Sequence, residues 1–301
     1  LYEELNETFR VLGEHLFFSF IPDTIRPPLT ELPHSVSIVL ETTDADIPWE
    51  LTYFNDNFIC LTHALGRKPI LHGLPSATPR FKVGSKKKTM QPKVLILANP
   101  TENLAESAKE AEEIARELHR FKTNIEIDFY RGSQVNKKLV VDCLHSGVYD
   151  VIHFAGHGDF NKDPRLSCFI LNDGALLADE VLRVLEGTPI VFANACSSAR
   201  FSEKRVPSNM FFMENIQGMA SAFLTKGAQG YIGALWPVHD QHAANFSIEF
   251  YKGIIERKET LGKALLKARI QTRRRTAGRD LSWASFVLYG DPNRRMFRSR
   301  G

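Results

Sequence analysis

The chain reads as an α/β protein: a mostly parallel sheet flanked by helices, with a smaller α+β lobe at its N-terminal end. Three observations predict this. Short apolar runs of buried-strand type recur, namely KVLILAN, YDVIHFAG, PIVFANA and GYIGALW. Amphipathic stretches of helical period separate them, and that alternation favours βαβ units with right-handed crossovers. The first ninety residues lack this rhythm and are punctuated by prolines.

In order, residues 1–17 predict a helix, followed by a connection carrying Pro22, Pro27, Pro28 and Pro33. SVSIVLE, Ser35 to Glu41, predicts a strand, and a second is expected around Phe58 to Thr62. Prolines 69, 75 and 79 then lead to the polar run KVGSKKKTMQPK, a linker by composition. The chain accordingly divides into an N-terminal lobe, 1–91, and a core, 92–301. The core opens with strand Lys93 to Asn99 and the helix of ENLAESAKEAEEIARELHRF, which is acidic at its start as the helix dipole favours. IEIDFY reads as strand, SQVNKKLVVDCLHS as helix, YDVIHFAG as strand and SCFILND as a further apolar piece. The helix ALLADEVLRVLE precedes strand PIVFANA, and the helix NIQGMASAFLTKG precedes strand GYIGALW. Two helices follow, the second from Glu259 towards Arg275, and WASFVLYGDP predicts a closing strand and turn.

Bulk properties narrow the function classes. At 301 residues, 43% hydrophobic and 24% charged, the chain has the composition of a globular protein with a real core. A net charge of +3 argues for neither nucleic acid nor an acidic membrane as partner. The four cysteines, Cys60, Cys143, Cys168 and Cys196, show no CxxC spacing and read as thiols of a reducing compartment. No apolar run reaches membrane-spanning length and no signal pattern opens the chain, so a cytoplasmic location is expected. Leu1 in place of Met, already inside an amphipathic pattern, reads as the start of a fragment.

The chemistry concentrates in VIHFAGHGDF, Val151 to Phe160, and VFANACSSAR, Val191 to Arg200. Each is a strand that breaks at small polar residues, the first delivering His157 and the second Cys196. In a parallel sheet, strand C-termini share one edge, and chemistry collects there. An imidazole and a thiol brought together make an activated nucleophile. His157 is then the proton shuttle, while the backbone N–H groups of Gly158 and Cys196 form an oxyanion hole. Gly156 and Gly158 would leave room for substrate backbone beside the imidazole.

HFAGHG ahead of NACSSA resembles the His and Cys blocks of the CHAT family, the caspase-like, separase-related cysteine proteases of clan CD. IPWELTYF (Ile47 to Phe54), GYIGALWPVHD (Gly230 to Asp240) and WASFVLYGDP (Trp283 to Pro292) agree in order and spacing. The resemblance implies a caspase-type fold, a His157–Cys196 dyad, no cofactor, and cleavage of a protein substrate after a selected P1 residue. It further implies limited proteolysis, a sensor or repeat module as partner, and a role in antiviral or cell-death pathways, a gasdermin-like effector being one target. Asp240, at the place where separase-like enzymes hold an acidic P1 contact, and Asp159, two residues from His157, both suit a basic P1 side chain. His239 stands before Asp240 where related sequences carry another residue.

Plainer readings compete. Cys196 alone would pass for a core thiol, and Ser197 and Ser198 for turn residues. His153, four residues before His157, reads as a hydrogen-bonded core histidine; a zinc site of His153, His157, Asp159 and Cys196 lacks paired ligand spacing. GHGD matches no phosphate-loop pattern, and the runs Lys86 to Lys88 and Arg273 to Arg275 read as solvated faces. Trp49, Trp236 and Trp283 read as packing residues, with Trp236 bordering the groove. Two other classes remain: a catalytically silent interaction scaffold, and the effector of a nucleotide- or nucleic-acid-sensing system. An intact His157–Cys196 pair speaks against the first, and sequence upstream of Leu1 would decide the second.

Overall fold

The computed structural model describes residues 2–42, 47–69, 91–159, 163–196, 216–236, 238 and 240–297. Residues 82–90 of the linker run 82–93 lie outside them. In the N-terminal segment come α1 (Tyr2–Phe20), α2 (Arg26–Thr30), β1 (Ser37–Thr42), a hairpin β2 (Tyr53–Phe54) and β3 (Asn57–Phe58), α3 (Ile59–Thr62) and β4 (Ala64–Pro69). The core follows with β5 (Lys93–Ala98), α4 (Ala105–His119), β6 (Glu126–Arg131), α5 (Lys137–Ser146) and β7 (Val151–Asp159). Next are β8 (Cys168–Leu171), β9 (Gly174–Leu177), α6 (Ala178–Val184), β10 (Ile190–Cys196), α7 (Ile216–Thr225) and β11 (Gly230–Ala234). α8 (Asp240–Tyr251), α9 (Leu261–Thr276), α10 (Ser282–Ser285) and β12 (Phe286–Tyr289) complete it.

The main sheet runs β1-β4-β12-β11-β10-β7-β5-β6. Every neighbouring pair is parallel except β11 with β12, which is antiparallel. Burial follows the two-residue strand period. Leu95, Leu97, Ile152, Phe154, Val191 and Ala193 pack on one face under α5, α6 and α7. Val94, Ile96, Val151, Ala155, Ile190 and Phe192 pack on the other under α4, α8 and α9. Because both faces are covered, these strands carry no polar alternation and their sequences read as continuous apolar runs.

Local chemistry sets the helix ends. Asn136 caps α5 by accepting from the Leu139 N–H at 2.9 Å, and Thr260 caps α9 in the same manner. The N-terminal segment is tied to the sheet by β4, whose Arg67 registers with Tyr289 of β12. Arg67 and Glu50 form an ion pair with both side chains 1% exposed, and the Arg67 Nη2 also donates to Ile47 O at 3.1 Å. Removing one partner would strand a buried charge at a cost of about 3–5 kcal/mol. The IPWEL block therefore serves a joint. The GDP block serves the same joint, since a Cβ on Gly66 would lie 2.3 Å from Gly290 O and 2.7 Å from Pro292 Cδ.

Three local expectations need correcting. The second strand expected at Phe58 to Thr62 is largely the helical turn α3, with Thr62 Oγ1 donating to Ile59 O, and the strand itself is β4. A short apolar run has no period long enough to distinguish the two. The predicted helix from Ala175 begins as β9, because Gly174 to Leu177 pair antiparallel with β8 before α6 starts. WASFVLY starts with one helical turn, α10, and only then enters β12.

Candidate active site

β7 lies between β5 and β10, and its register runs to the end of β10, where His157 stands opposite Cys196. Sheet pairing thus brings the two strand-end residues side by side on one edge. Cys196 is placed here by its backbone alone, and Ser197, Ser198 and Arg200 lie outside the described residues.

His157 is 6% exposed. Its Nε2 lies 2.9 Å from Asn103 Oδ1, and burial holds its pKa below the ordinary histidine value. The ring is therefore neutral at pH 7 and able to accept a proton. Asn103 belongs to the loop that leaves β5, beyond Asn99, Pro100 and Thr101. The expectation that Gly156 leaves room for substrate is corrected: a Cβ there would meet Pro100 Cδ and Phe154 Cζ, both at 2.9 Å. The chain itself fills that space, and Gly156 admits the β5 loop.

Behind the edge, on the α4 side, lies a buried polar layer. Asn194, two residues before Cys196, donates to Glu110 Oε2 of α4 at 2.7 Å, and Glu110 is 2% exposed. His153 is fully buried, stacked on Phe192 at 5.4 Å, with Nδ1 2.8 Å from the Tyr251 hydroxyl. Burial pushes its pKa down to about 3. It is a core histidine, as its place inside the strand predicted. Among the described residues no three His, Cys, Asp or Glu side chains converge as metal ligands.

Gly158 registers antiparallel with Phe169 of β8, and half-buried Asp159 with Cys168. Asp240 starts α8, beyond the C-terminal end of β11, the neighbour of β10. The two acidic P1 candidates thus attach to opposite flanks, Asp159 to the histidine strand and Asp240 past the cysteine strand. His239 lies outside the described residues. Trp236 is partly buried and packs against the core. The thiols of Cys60, Cys143 and Cys168 are buried, and burial raises their pKa, that of Cys60 to about 12. Such thiols are poor nucleophiles.

An open cleft of ≈ 520 Å³ lies on the β6 side of this edge, lined by Asn99, Glu102, Ala108, Arg131, Ser133 and Gln134 among others. Sequence reasoning missed Asn103 and the Glu110–Asn194 pair. A signal for Asn103 existed: NPTEN follows a strand in the same way that the His and Cys blocks do.

The fold, a largely parallel sheet flanked by helices, is of the caspase-like kind, and it sets a histidine and a cysteine on adjacent strand ends. It is similar to the Arg-specific cysteine proteinase gingipain R, with a TM-score of 0.59 at 13% identity over 86% of this chain and 63% of that one. It is also similar to separase in the Saccharomyces cerevisiae separase–securin complex, with a TM-score of 0.55 at 17% identity over 85% of this chain and 15% of that one. The chain thus spans less than two thirds of either structure. A CHAT domain model matches residues 8–291, and the chain belongs to the CHAT domain family. Among curated proteins none matches it.

Proposed function

We propose that this chain is a cysteine endopeptidase that cleaves a protein substrate after a basic residue. The observation that carries the reading is the β7–β10 register, which sets His157 opposite Cys196. The strand period assigns position 196 to the face shared by Phe192 and Asn194, the face of His153 and Ala155 as well. In the reaction, the Cys196 thiol gives its proton to His157 and attacks the scissile carbonyl carbon. The carbonyl electrons move onto oxygen, where the Gly158 and Cys196 N–H groups receive them. The protonated imidazole then passes its proton to the leaving amine, and water releases the acyl-enzyme through the same base.

The basic P1 preference rests on Asp240 and Asp159, with Asp240 favoured, and on the Arg specificity in gingipain R's description. By the family's habit, the proteolysis is limited and regulated by a sensor or repeat module in the cytoplasm. A defence pathway with a gasdermin-like effector is a suitable setting. No described helix is long and apolar enough to cross a membrane. A P1-diverse peptide library, assayed with wild type and Cys196→Ala in parallel, tests the reading. Cleavage after Arg or Lys by wild type alone is expected. Cleavage that survives in the variant, or wild type inert across the library, overturns it.

A further inference from the structure

We infer that Asn103 is the positioning residue of the site: it fixes the tautomer of His157 so that Nδ1, not Nε2, is the nitrogen that takes the thiol proton. This rests on the protease reading above, but its central observation is independent of it. Asn103 Oδ1 accepts from Thr101 Oγ1 at 2.6 Å and lies 2.9 Å from His157 Nε2. An amide oxygen carries no hydrogen, so the ring nitrogen must donate to it. The neutral imidazole has one N–H; with that hydrogen on Nε2, Nδ1 becomes the basic nitrogen. A base whose tautomer is set beforehand need not rearrange during the reaction.

The loop that presents Asn103 is held from several sides, which is what a positioning element requires. Asn99 N–H donates to Ala155 O of β7 at 2.7 Å, and Glu102 N–H closes a turn onto Asn99 O at 3.1 Å. Asn99 Oδ1 accepts from Leu104 N–H at 3.0 Å, which anchors the entry to α4. Glu102 Oε1 accepts from Ser133 N–H at 3.1 Å, and Asn172 Nδ2 donates to Pro100 O at 3.2 Å. Two residues of this short loop, Asn99 at φ 44° and Glu102 at φ 59°, sit in the left-handed region that side-chain-bearing residues seldom adopt. Gly156 belongs to the same device, since its missing Cβ lets Pro100 press against β7.

Two readouts on Asn103→Ala and Asn103→Asp test this. In the first, the His157 ring is titrated by NMR, its signal identified by loss in His157→Ala. Asn103→Asp puts a carboxylate beside Nε2, which favours the imidazolium and should raise the His157 pKa by about one unit or more. In the second, kcat and KM are followed against pH on the best library peptide. Asn103→Ala should lower kcat tenfold or more with KM little changed. Asn103→Asp should recover part of the rate and move the acidic limb to higher pH. A His157 titration in Asn103→Asp that superimposes on wild type overturns the contact. A wild-type kcat in Asn103→Ala overturns its use. Should wild type cleave nothing, the protease reading fails by itself, and the titration still decides whether Asn103 holds the ring.

Discussion

The interior of β7 and its C-terminal edge carry the same residue to opposite ends. His153 and His157 stand four residues apart on one face of one strand, and burial keeps both neutral. His153 is sealed between Phe192 and Tyr251 with nothing to react with. His157 reaches the last paired position of β10, opposite a cysteine and beside a loop amide. Residue type does not separate the enclosed histidine from the one proposed as the base. Position along the strand does: Phe192 and Tyr251 enclose His153, whereas His157 meets the last registered residue of β10 and the loop after β5.

The sharpest way to break this comparison is to remove each ring in turn. On the protease reading, His157→Ala lowers kcat/KM by about 10³-fold, in the range of a lost acid–base residue, while urea denaturation stays close to wild type. His153→Ala does the reverse. It leaves a cavity beside Phe192 and a buried Tyr251 hydroxyl without its partner, and lowers unfolding free energy by about 2–4 kcal/mol. Its kcat/KM per folded molecule remains near wild type. Swapped outcomes would mean that the two positions exchange roles.

A smaller effect appears on acidification. A histidine whose folded pKa is depressed contributes its full share of stability above its unfolded value. That share is lost as pH falls, because the unfolded chain takes up the proton first. His153, depressed to about 3, and His63 and His157, also depressed, place this loss below the ordinary histidine value near 6.5. Urea midpoints measured from pH 7 to 4 should fall, and His153→Phe, which keeps an aromatic ring on Phe192, should flatten the fall. An unchanged slope would exclude His153 as its main source.

The smallest effect concerns the flanks of the edge. Asp240→Ala should weaken cleavage after Arg and Lys about tenfold relative to neutral P1 residues, the scale of one charge pair, with Asp159→Ala weaker still. The opposite order would assign P1 selection to the histidine strand.

Much of the sheet was legible because its central strands are covered on both faces. Val94 to Ala98, Val151 to Ala155 and Ile190 to Ala195 are apolar at nearly every position. Regions that failed to read correctly are half covered or short. β9 resembles the opening of α6 until its pairing with β8 is known. α3 and β4 share one apolar stretch whose split depends on contacts with distant chain. Asn103 carried only a weak signal for a related reason: an asparagine in a polar turn after a strand is commonplace until a ring nitrogen is found 2.9 Å away.

The sequence by itself determined that strands and helices alternate, and that a histidine and a cysteine each lie near the C-terminal end of a strand. Those are local properties, set by periodicity and by small residues that end a run. Tertiary structure alone decided that β7 and β10 are neighbours, that β12 runs antiparallel, and that β4 carries the N-terminal segment onto the sheet. It also decided that the β5 loop folds back to Asn103's contact with His157. Strand order and loop closure are settled by burial and hydrogen bonding between residues far apart in the chain. No window of sequence contains both partners.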